Sequence, residues 1–447
     1  MSLWNDLGYS DNPYSPRPIQ GDAQGVTLLV GRDTELKRLT TYLRSSDTHP
    51  TLEGPNGVGK TSLAAVAGFS LKQEFAKGFS QQALIPIDEP FQLTQEDTTS
   101  SFKRKVLLKV AQAFIDNNVL LKSKGYNAPD SSSISQWLNS PLLSSLGGGI
   151  TVFGVGGVNA NHGSAANTSA GFNEDGFITT VLTWLKQCFP TNSSGGFICT
   201  IDNLELLETS KNARALLEGI RDEVLGVKGL RWILCGARGI TRSVASSPRL
   251  QGVLADPILI NPIKDEFVEE LINTRLKEFK VSDNTSITVD SRGFGHLYMI
   301  GGRNLRNAMK YSEDFSFWAS ENDLITDDKE QRFAIIERWM KETAELYLSD
   351  TTGVGRKAWE VFEQLALTGE NISPSQFEEF GFDSNQAMRP HLRSLEEANL
   401  IESAIDDTDN RRKTIGISSR GWIVKYIRTK PATQNNLSEV EPAATEK

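Results

Sequence analysis

Residues 54–61 place three glycines, a lysine and a threonine at a spacing that can hold phosphate groups. Glycines allow successive backbone N–H groups to converge on one anion, and a lysine at the end of such a loop reaches the β- and γ-phosphates of a nucleotide. The next hydroxyl is a ligand for magnesium, and a helix that begins there adds its positive end. The residues predicted to bind a nucleotide are Gly54, Pro55, Asn56, Gly57, Val58, Gly59, Lys60, Thr61 and Ser62.

Asp202 follows a largely apolar run, residues 196–201, and is the candidate second ligand for the metal. Magnesium on a glycine loop of this kind is held by the loop's own threonine and by an acid at the tip of another strand. Thr61 and Asp202 are therefore predicted to bind magnesium together. The predicted cofactors are ATP and Mg²⁺.

Arg238 follows a second apolar run, residues 230–235. An arginine at the end of the strand beside the one that carries Asp202 can contact the γ-phosphate and respond to its presence. The alternative is an ordinary solvated arginine on the surface.

These residues require a scaffold that brings the ends of several strands together. The hydrophobic patterns predict strands that alternate with helices, with strands at 51–53, 83–87, 196–202 and 230–235 and helices at 61–69, 102–121, 177–188 and 213–225. This alternation predicts an α/β fold with a parallel sheet and helices on both faces. Ligands bind at the carboxyl ends of such strands, where the glycine loop and Asp202 are expected.

The stretch from about residue 130 to 173 is dominated by Ser, Asn and Gly. Within it, residues 150–155 alternate like a strand and have glycines on both sides. No helical pattern follows, so a dinucleotide-binding fingerprint is excluded. The favoured interpretation is a hairpin or a flexible insertion in the core.

The sequence from about residue 353 to 428 predicts three helices followed by a hairpin. The hairpin strands are predicted at 401–405 and 413–417, and Asn399 is predicted to end the third helix in a left-handed conformation. This order resembles a winged helix, whose third helix enters the major groove of DNA in the DNA-binding members. Pro390 suggests that the third helix starts late or bends. The basic side chains suited to DNA are Arg389, His391, Arg393, Arg411, Arg412 and Lys413. The third helix and the hairpin also contain acidic residues, so DNA binding and docking of a protein partner both remain open.

Composition narrows the classes of function. The net charge of −9 over 447 residues argues against a protein that coats nucleic acid through a general electrostatic field. No run approaches the roughly 20 apolar residues that a membrane span needs, so a cytoplasmic protein with no membrane contact is expected. The three cysteines, Cys188, Cys199 and Cys235, are predicted to be reduced core residues, and no structural zinc is expected.

Several motifs together resemble known ATPases. The glycine loop, the run Asp202-Asn203-Leu204-Glu205 and the run that ends at Arg238 resemble the STAND branch of AAA+-related ATPases. The run Val30-Gly31-Arg32-Asp33 resembles the origin-recognition branch of AAA+. That resemblance implies that the backbone of Val30 and Gly31 faces the adenine.

The same resemblance assigns further roles. It implies that Arg249 reaches across to a neighbouring subunit, with a surface arginine near a turn as the alternative, and that Arg306, or alternatively Arg303, senses the phosphates from a lid. Many AAA+ enzymes have a glutamate directly after the magnesium-binding aspartate, whereas this chain has Asn203. Either Glu205 orients the attacking water, or hydrolysis is slow.

The predicted segments are an N-terminal arm (1–25), a P-loop NTPase core (26–262, AAA+-like), a helical lid (263–349), a winged-helix domain (350–430) and a disordered tail (431–447). The leading hypothesis is a switch that couples ATP or ADP to self-association, as a homo-oligomer, or to a protein partner. The alternatives are a DNA-associated ATPase of the initiator or transposition-regulator type and a pseudo-ATPase scaffold that holds nucleotide structurally.

Overall fold

The computed structural model describes residues 2–45, 47–94, 96–130, 174–207, 210–237, 239–368, 372, 374–405 and 413–429. These residues form two compact units. The sheet unit spans Pro18–Asn261, and the helical unit combines the chain up to Arg17 with the described residues from Pro262 onward. The predicted strand at 150–155 lies outside the described residues.

The sheet unit is built on a parallel sheet, as the alternation of strands and helices predicts. Its strands are β1 (Thr51–Glu53), β2 (Ala83–Pro86), β3 (Phe91–Gln92), β4 (Gly195–Asp202), β5 (Leu230–Gly236) and β6 (Ile258–Leu259). Their order is β2-β4-β5-β1-β6, with β3 also paired to β4, and every pairing is parallel. The carboxyl ends of β1 and β4 therefore lie at the same edge, with β5 between them.

Alternation along the strands creates two cores, one on each face of the sheet. In β4, Phe197 and Ile201 join one cluster while Ile198 joins the other. In β5, Trp232 joins the same cluster as Phe197, and Ile233 joins the same cluster as Ile198. Successive side chains of a strand point to opposite faces, so each of these strands supplies both cores.

Helices from both sides contribute to these clusters. The helices of the sheet unit are α2 (Ala23–Leu28), α3 (Asp33–Ser45), α4 (Lys60–Lys77), α5 (Thr99–Asp116), α6 (Asn118–Ser123), α7 (Glu174–Cys188), α8 (Ser210–Ile220) and α9 (Ile240–Ala245). The helix predicted at 102–121 is thus two helices, α5 and α6, which meet at Asn117. The helix predicted at 213–225 is α8 followed by a π-helical turn, Arg221–Leu225. The three cysteines are free and buried, as predicted.

His49 is a buried polar residue of the sheet unit. Its Nδ1 accepts the backbone N–H of Trp232 at 3.3 Å, and its Nε2 lies 2.8 Å from the carbonyl oxygen of Leu225. Nδ1 accepts a hydrogen bond, so the ring is the neutral tautomer with its proton on Nε2. Burial lowers the pKa of His49 from 6.5 to about 4.

We expect this histidine to make the protein less stable in mild acid. The unfolded state binds a proton near pH 6.5 and the folded state only near pH 4, so stability falls as the pH drops through that window. The expected loss between pH 7 and pH 5 is about 2 kcal/mol. Urea unfolding at both pH values measures it, with His49→Gln as the control that cannot titrate. An equal pH dependence in both proteins would contradict this role.

The N-terminal segment is not the extended arm predicted for residues 1–25. It contains α1 (Leu3–Asp6) and α2, and it buries the side chains of Trp4 and Tyr14. In the helical unit, the Tyr14 hydroxyl donates to the carbonyl oxygen of Val289 at 2.7 Å, and the Arg275 guanidinium donates to that of Pro13 at 2.6 Å. Burial lowers the pKa of Arg275 to about 10. Single aromatic anchors far from their partners in sequence leave no periodic pattern, which explains the wrong prediction.

The helical unit also contains α10 (Asp265–Phe279), α11 (Ser291–Ile300), α12 (Leu305–Glu321) and α13 (Lys329–Ser349). Its last part comprises α14 (Arg356–Thr368), a 3-10 helix (Pro374–Phe380), α15 (Asn385–Glu397), the antiparallel strands β7 (Ile401–Ile405) and β8 (Lys413–Ile417), and α16 (Ser419–Thr429). No helix in the described part of the chain is long and apolar enough to cross a membrane.

Three details of this last part differ from the sequence prediction. The second helix is of the 3-10 type, and α16 was not predicted. α15 does not start late, because the Ser384 side chain caps it by accepting the N–H of Ala387, and Pro390 lies within the helix. The alternative, a bend at Pro390, stays a prediction. Asn399 does have the predicted left-handed conformation, with φ of 56°.

Candidate functional site

The glycine loop lies between the end of β1 and the start of α4. Gly57 and Gly59 have φ of 79° and 100°, values that favour glycine because a Cβ atom is disfavoured there. Gly54 allows a close approach of a different kind, since a Cβ atom at this position would lie 2.4 Å from the carbonyl oxygen of Ile260. Gly57 and Gly59 are thus required by their backbone conformation and Gly54 by a close approach, and together the three glycines give the backbone a conformation suited to an anion nest.

Lys60 begins α4, and its side chain is buried against the loop. The ammonium group donates to the carbonyl oxygens of Gly54 and Pro55, at 2.9 and 3.1 Å. These two residues are at the start of the glycine loop. The Lys60 ammonium group is therefore hydrogen-bonded to the backbone of the loop that precedes it. A positive charge in this place, together with the amino end of an 18-residue helix, makes the loop attractive to phosphate.

Thr61, near the start of α4, meets Asp202, at the end of β4, although β5 lies between β4 and the strand that leads into the glycine loop, β1. The Thr61 hydroxyl donates to Oδ2 of Asp202 at 2.7 Å, and the aspartate is only 6% exposed. A hydroxyl and a carboxylate are hard oxygen donors of the kind that magnesium takes. The two predicted metal ligands are therefore adjacent, and their chemistry fits the ion.

We expect Asp202→Asn to weaken magnesium-dependent binding of ATP more than magnesium-free binding. Asparagine keeps the size of the side chain and an oxygen that can accept from Thr61, but it removes the negative charge that an ion needs. Titration of ATP in MgCl₂ and in EDTA measures both affinities, and the advantage given by the ion should fall roughly tenfold or more. An equal loss under both conditions would place Asp202 outside the metal site.

Asn203 has a left-handed backbone, with φ of 56°. Asparagine tolerates this conformation better than glutamate, for which it costs roughly 1 kcal/mol or more. The Asp202 carboxylate accepts the N–H of Asn203 at 3.0 Å, which stabilises the turn. The local backbone thus gives a structural reason for asparagine rather than glutamate at position 203. Glu205 lies in the 3-10 turn that follows, Leu204–Leu207, and its role stays a prediction.

Arg238 lies outside the described residues, so its predicted contact with phosphate stays a prediction. Arg249 belongs to the sheet unit and is exposed, with 74% of its side chain accessible. Its Nη1 lies 3.9 Å from Oε2 of Glu218, and the other carboxylate oxygen, Oε1, accepts from Arg214 at 2.8 Å. The structure therefore places Arg249 on a charged surface formed with α8.

Val30 and Gly31 precede α3, and Gly31 is left-handed with φ of 71°. The next residue, Arg32, was not predicted as a site residue. Its guanidinium is buried and donates to the carbonyl oxygen of Val58, within the glycine loop, at 3.0 Å. The sequence shows Arg32 only as part of a short run, and nothing in the pattern signals its burial.

Glu53 is a second residue that the pattern did not indicate. It is the last residue of β1, and its carboxylate is buried directly before the glycine loop. Thr241 donates to its Oε2 at 3.0 Å, and Arg242 approaches its Oε1 at 3.6 Å. These contacts join the base of the loop to α9, the helix that follows β5.

The two predicted phosphate-sensing arginines of the helical unit differ in their surroundings. Arg303 forms a bidentate ion pair with Asp265: its Nε donates to Oδ1 at 3.1 Å and its Nη2 to Oδ2 at 3.0 Å. This ion pair lowers the pKa of Asp265. Arg306 is exposed in the first turn of α12, where Asn304 caps the helix by accepting its N–H. Arg306 is thus the less constrained of the two, and its role stays a prediction.

The parallel sheet, the glycine loop after β1 and the helix that begins at Lys60 define the α/β fold of a P-loop NTPase. No protein-family model matches the chain, and no curated protein matches it. The fold class therefore rests on the geometry described above.

Several solved structures are similar to this chain at low sequence identity. The Walker-type ATPase PABY2304 of Pyrococcus abyssi is 14% identical, with 93% of this chain and 99% of that chain covered and a TM-score of 0.45. The Orc1 protein of Aeropyrum pernix, in complex with DNA, is 13% identical, with 90% and 96% covered and a TM-score of 0.41. Domain III of the Thermotoga maritima replication initiation protein DnaA is 11% identical, with 72% and 98% covered and a TM-score of 0.37.

Proposed function

We propose that this protein binds ATP with Mg²⁺ and acts as a slowly hydrolysing switch of the AAA+/STAND kind. The observation that carries the proposal is the contact between Thr61 and Asp202 beside the buried ammonium group of Lys60. The glycine loop and the end of β4 thus combine an anion nest, a cation for the phosphates and two oxygen ligands for a metal. This combination fits a nucleoside triphosphate better than a simple anion, which needs no metal.

Each residue of the loop has a distinct role in this proposal. The backbone N–H groups of residues 57–61 bind the phosphates, and Lys60 turns from the carbonyl oxygens of its own loop toward the β- and γ-phosphates. Thr61 and Asp202 hold Mg²⁺, which when bound neutralises charge on the phosphate oxygens. Val30 and Gly31 border the adenine in this proposal.

Slow hydrolysis follows from the residues after β4. No carboxylate stands directly after Asp202, and the left-handed backbone of Asn203 disfavours one. Water must then be oriented by Glu205 or by a group from a partner. ATP would persist on the protein, as a switch requires.

The helical unit is proposed as the responding part of the switch. Helices α10 to α13 would form the lid, with Arg306 as the residue that senses the phosphates. The elements from α14 to α16 have the order of a winged helix and would dock a protein partner or a second copy of the chain. Partner engagement would then depend on whether ATP or ADP is bound.

Nucleotide binding, ADP release and molecular mass in solution test this proposal together. ATP binding, slow ADP release and a larger assembly in ATP than in ADP are expected. A folded protein that binds no nucleotide would overturn the proposal. ATP binding without any ADP release would instead favour the pseudo-ATPase scaffold.

A DNA-associated ATPase is the second candidate, because α15 exposes Arg389 and Arg393. Against it, Arg393 is paired with Glu397 at 2.9 Å on the same helix. Duplex affinity measured at several salt concentrations separates the candidates, since contacts with phosphate make affinity fall steeply with salt. Tight, salt-dependent binding of duplex DNA in the presence of ATP would favour the DNA-associated ATPase. No binding of duplex DNA at low salt would favour docking of a protein partner.

A further inference from the structure

Arg32 is a buried arginine that joins the glycine loop to the end of β6. Its Nη2 donates to the carbonyl oxygen of Val58 at 3.0 Å and to that of Asn261 at 2.7 Å. Its Nη1 donates to Glu35 at 3.1 Å, and the whole residue is only 4% exposed. A buried guanidinium is costly unless its donors are satisfied, so the surrounding acceptors must be held in fixed positions.

We propose that Arg32 is a positioning residue for phosphate binding, which fixes the peptide between Val58 and Gly59. This inference rests on the proposed binding of ATP. A trans peptide is planar, and its C=O and N–H point in opposite directions. A guanidinium that holds the Val58 carbonyl on one side therefore directs the N–H of Gly59 to the other side, where this proposal places a phosphate oxygen.

The left-handed φ of Gly59 makes this constraint necessary. Glycine has no Cβ atom to restrict its backbone, and among the described residues no atom beyond its two chain neighbours lies within 4 Å of the position that a Cβ atom would occupy. Gly59 itself therefore restricts the peptide before it only weakly. A hydrogen bond to a charged donor is roughly twice as strong as a neutral one, and it also polarises the peptide. Arg32 thus restricts the peptide and strengthens the donor that faces phosphate.

The second bond gives the arginine a fixed anchor. Asn261 follows Ile260, whose N–H donates to the carbonyl oxygen of Glu53 at 2.7 Å, beside the start of the loop. The chain at 260–261 is therefore fixed to β1. Because one guanidinium nitrogen bonds both Val58 and Asn261, the far end of the loop is tied to the same strand that supports its beginning.

Arg32→Lys tests the proposal, because lysine keeps the charge but cannot reproduce the flat fork that bonds two carbonyl oxygens and a carboxylate. The affinities for ATP, inorganic pyrophosphate and adenosine are measured by calorimetry or competition. We expect ATP and pyrophosphate to bind roughly tenfold more weakly, with adenosine changed less than twofold. The matched control is Arg38→Lys, an exposed arginine on α3, the helix that begins directly after Arg32, and it should change none of the three affinities.

The outcomes separate this inference from the proposed function. Equal weakening for adenosine and pyrophosphate, or no weakening for either, would overturn the role of Arg32 while ATP binding by the wild type stands. If the wild type binds no ATP, the proposed function fails and this inference fails with it.

If Arg32→Lys does not fold, the unaltered protein provides the test. NMR of arginine-labelled protein should show a slowly exchanging guanidinium that shifts with pyrophosphate and not with adenosine. Buried guanidinium signals that are all unaffected by pyrophosphate would overturn the proposal.

Discussion

Replacing Lys60 with alanine is expected to lower the affinity for ATP at least about a hundredfold, by removing charge-assisted bonds to two phosphates. The lysine is buried at the loop and bonded to the carbonyl oxygens of Gly54 and Pro55. The helix that carries it is otherwise held by apolar contacts of Leu63, Ala67 and Leu71, which the substitution leaves in place. The variant should therefore keep its fold while its affinity for ATP falls.

Calorimetric titration with ATP and MgCl₂ measures this loss, and thermal unfolding without nucleotide checks the fold. Lys77→Ala is the matched control, because Lys77 is an exposed lysine in the last turn of the same helix. The control should bind ATP as the wild type does. A folded Lys60→Ala protein with unchanged affinity would refute the assignment of residues 54–61 to phosphate.

Local sequence signals predicted the sheet and the glycine loop well. Glycine at 57 and 59 indicates a backbone that other residues avoid, and both positions are left-handed in the structure. The apolar run before Asp202 gives a strand because the alternating side chains of β4 supply both cores. The same kind of signal predicted the bounds of β7 and β8 and the left-handed conformation of Asn399, as the structure has them.

Residues that act across long sequence distances could not be predicted in this way. Arg32 bonds Asn261, which is 229 positions away, and Arg275 bonds Pro13, which is 262 positions away. Neither arginine differs in local pattern from an exposed one. Their burial depends on which segments the fold brings together, and periodicity within a window of 10 to 20 residues contains no such information.

Asn203 illustrates a different limit. Its residue type was noted only as the absence of a glutamate, and the sequence offers no reason for asparagine. The structure supplies one, because the turn after β4 is left-handed and asparagine accepts that conformation. A substitution that adds a carboxylate at 203 would therefore also strain the turn, and its effect on hydrolysis would combine both changes.

Arg249→Ala is expected to leave ATP binding intact and to reduce hydrolysis on the order of a thousandfold, if this arginine completes the site of a neighbouring copy. Its side chain is 74% exposed, and its Nη1 lies 3.9 Å from Oε2 of Glu218, a surface contact that contributes little stability. The side chain is therefore free of strong internal restraint. A second protomer could use it to stabilise charge that develops on the γ-phosphate.

Mixing two inactive variants tests whether the site spans two copies. Arg249→Ala retains the glycine loop and Lys60→Ala retains the arginine, so mixed assemblies contain some interfaces with both groups intact. Partial recovery of ADP release on mixing is expected, with Arg214→Ala as the control because Arg214 bonds the same glutamate at 2.8 Å. Full activity of Arg249→Ala alone, or a wild type that stays monomeric while it hydrolyses ATP, would make Arg249 an ordinary surface residue.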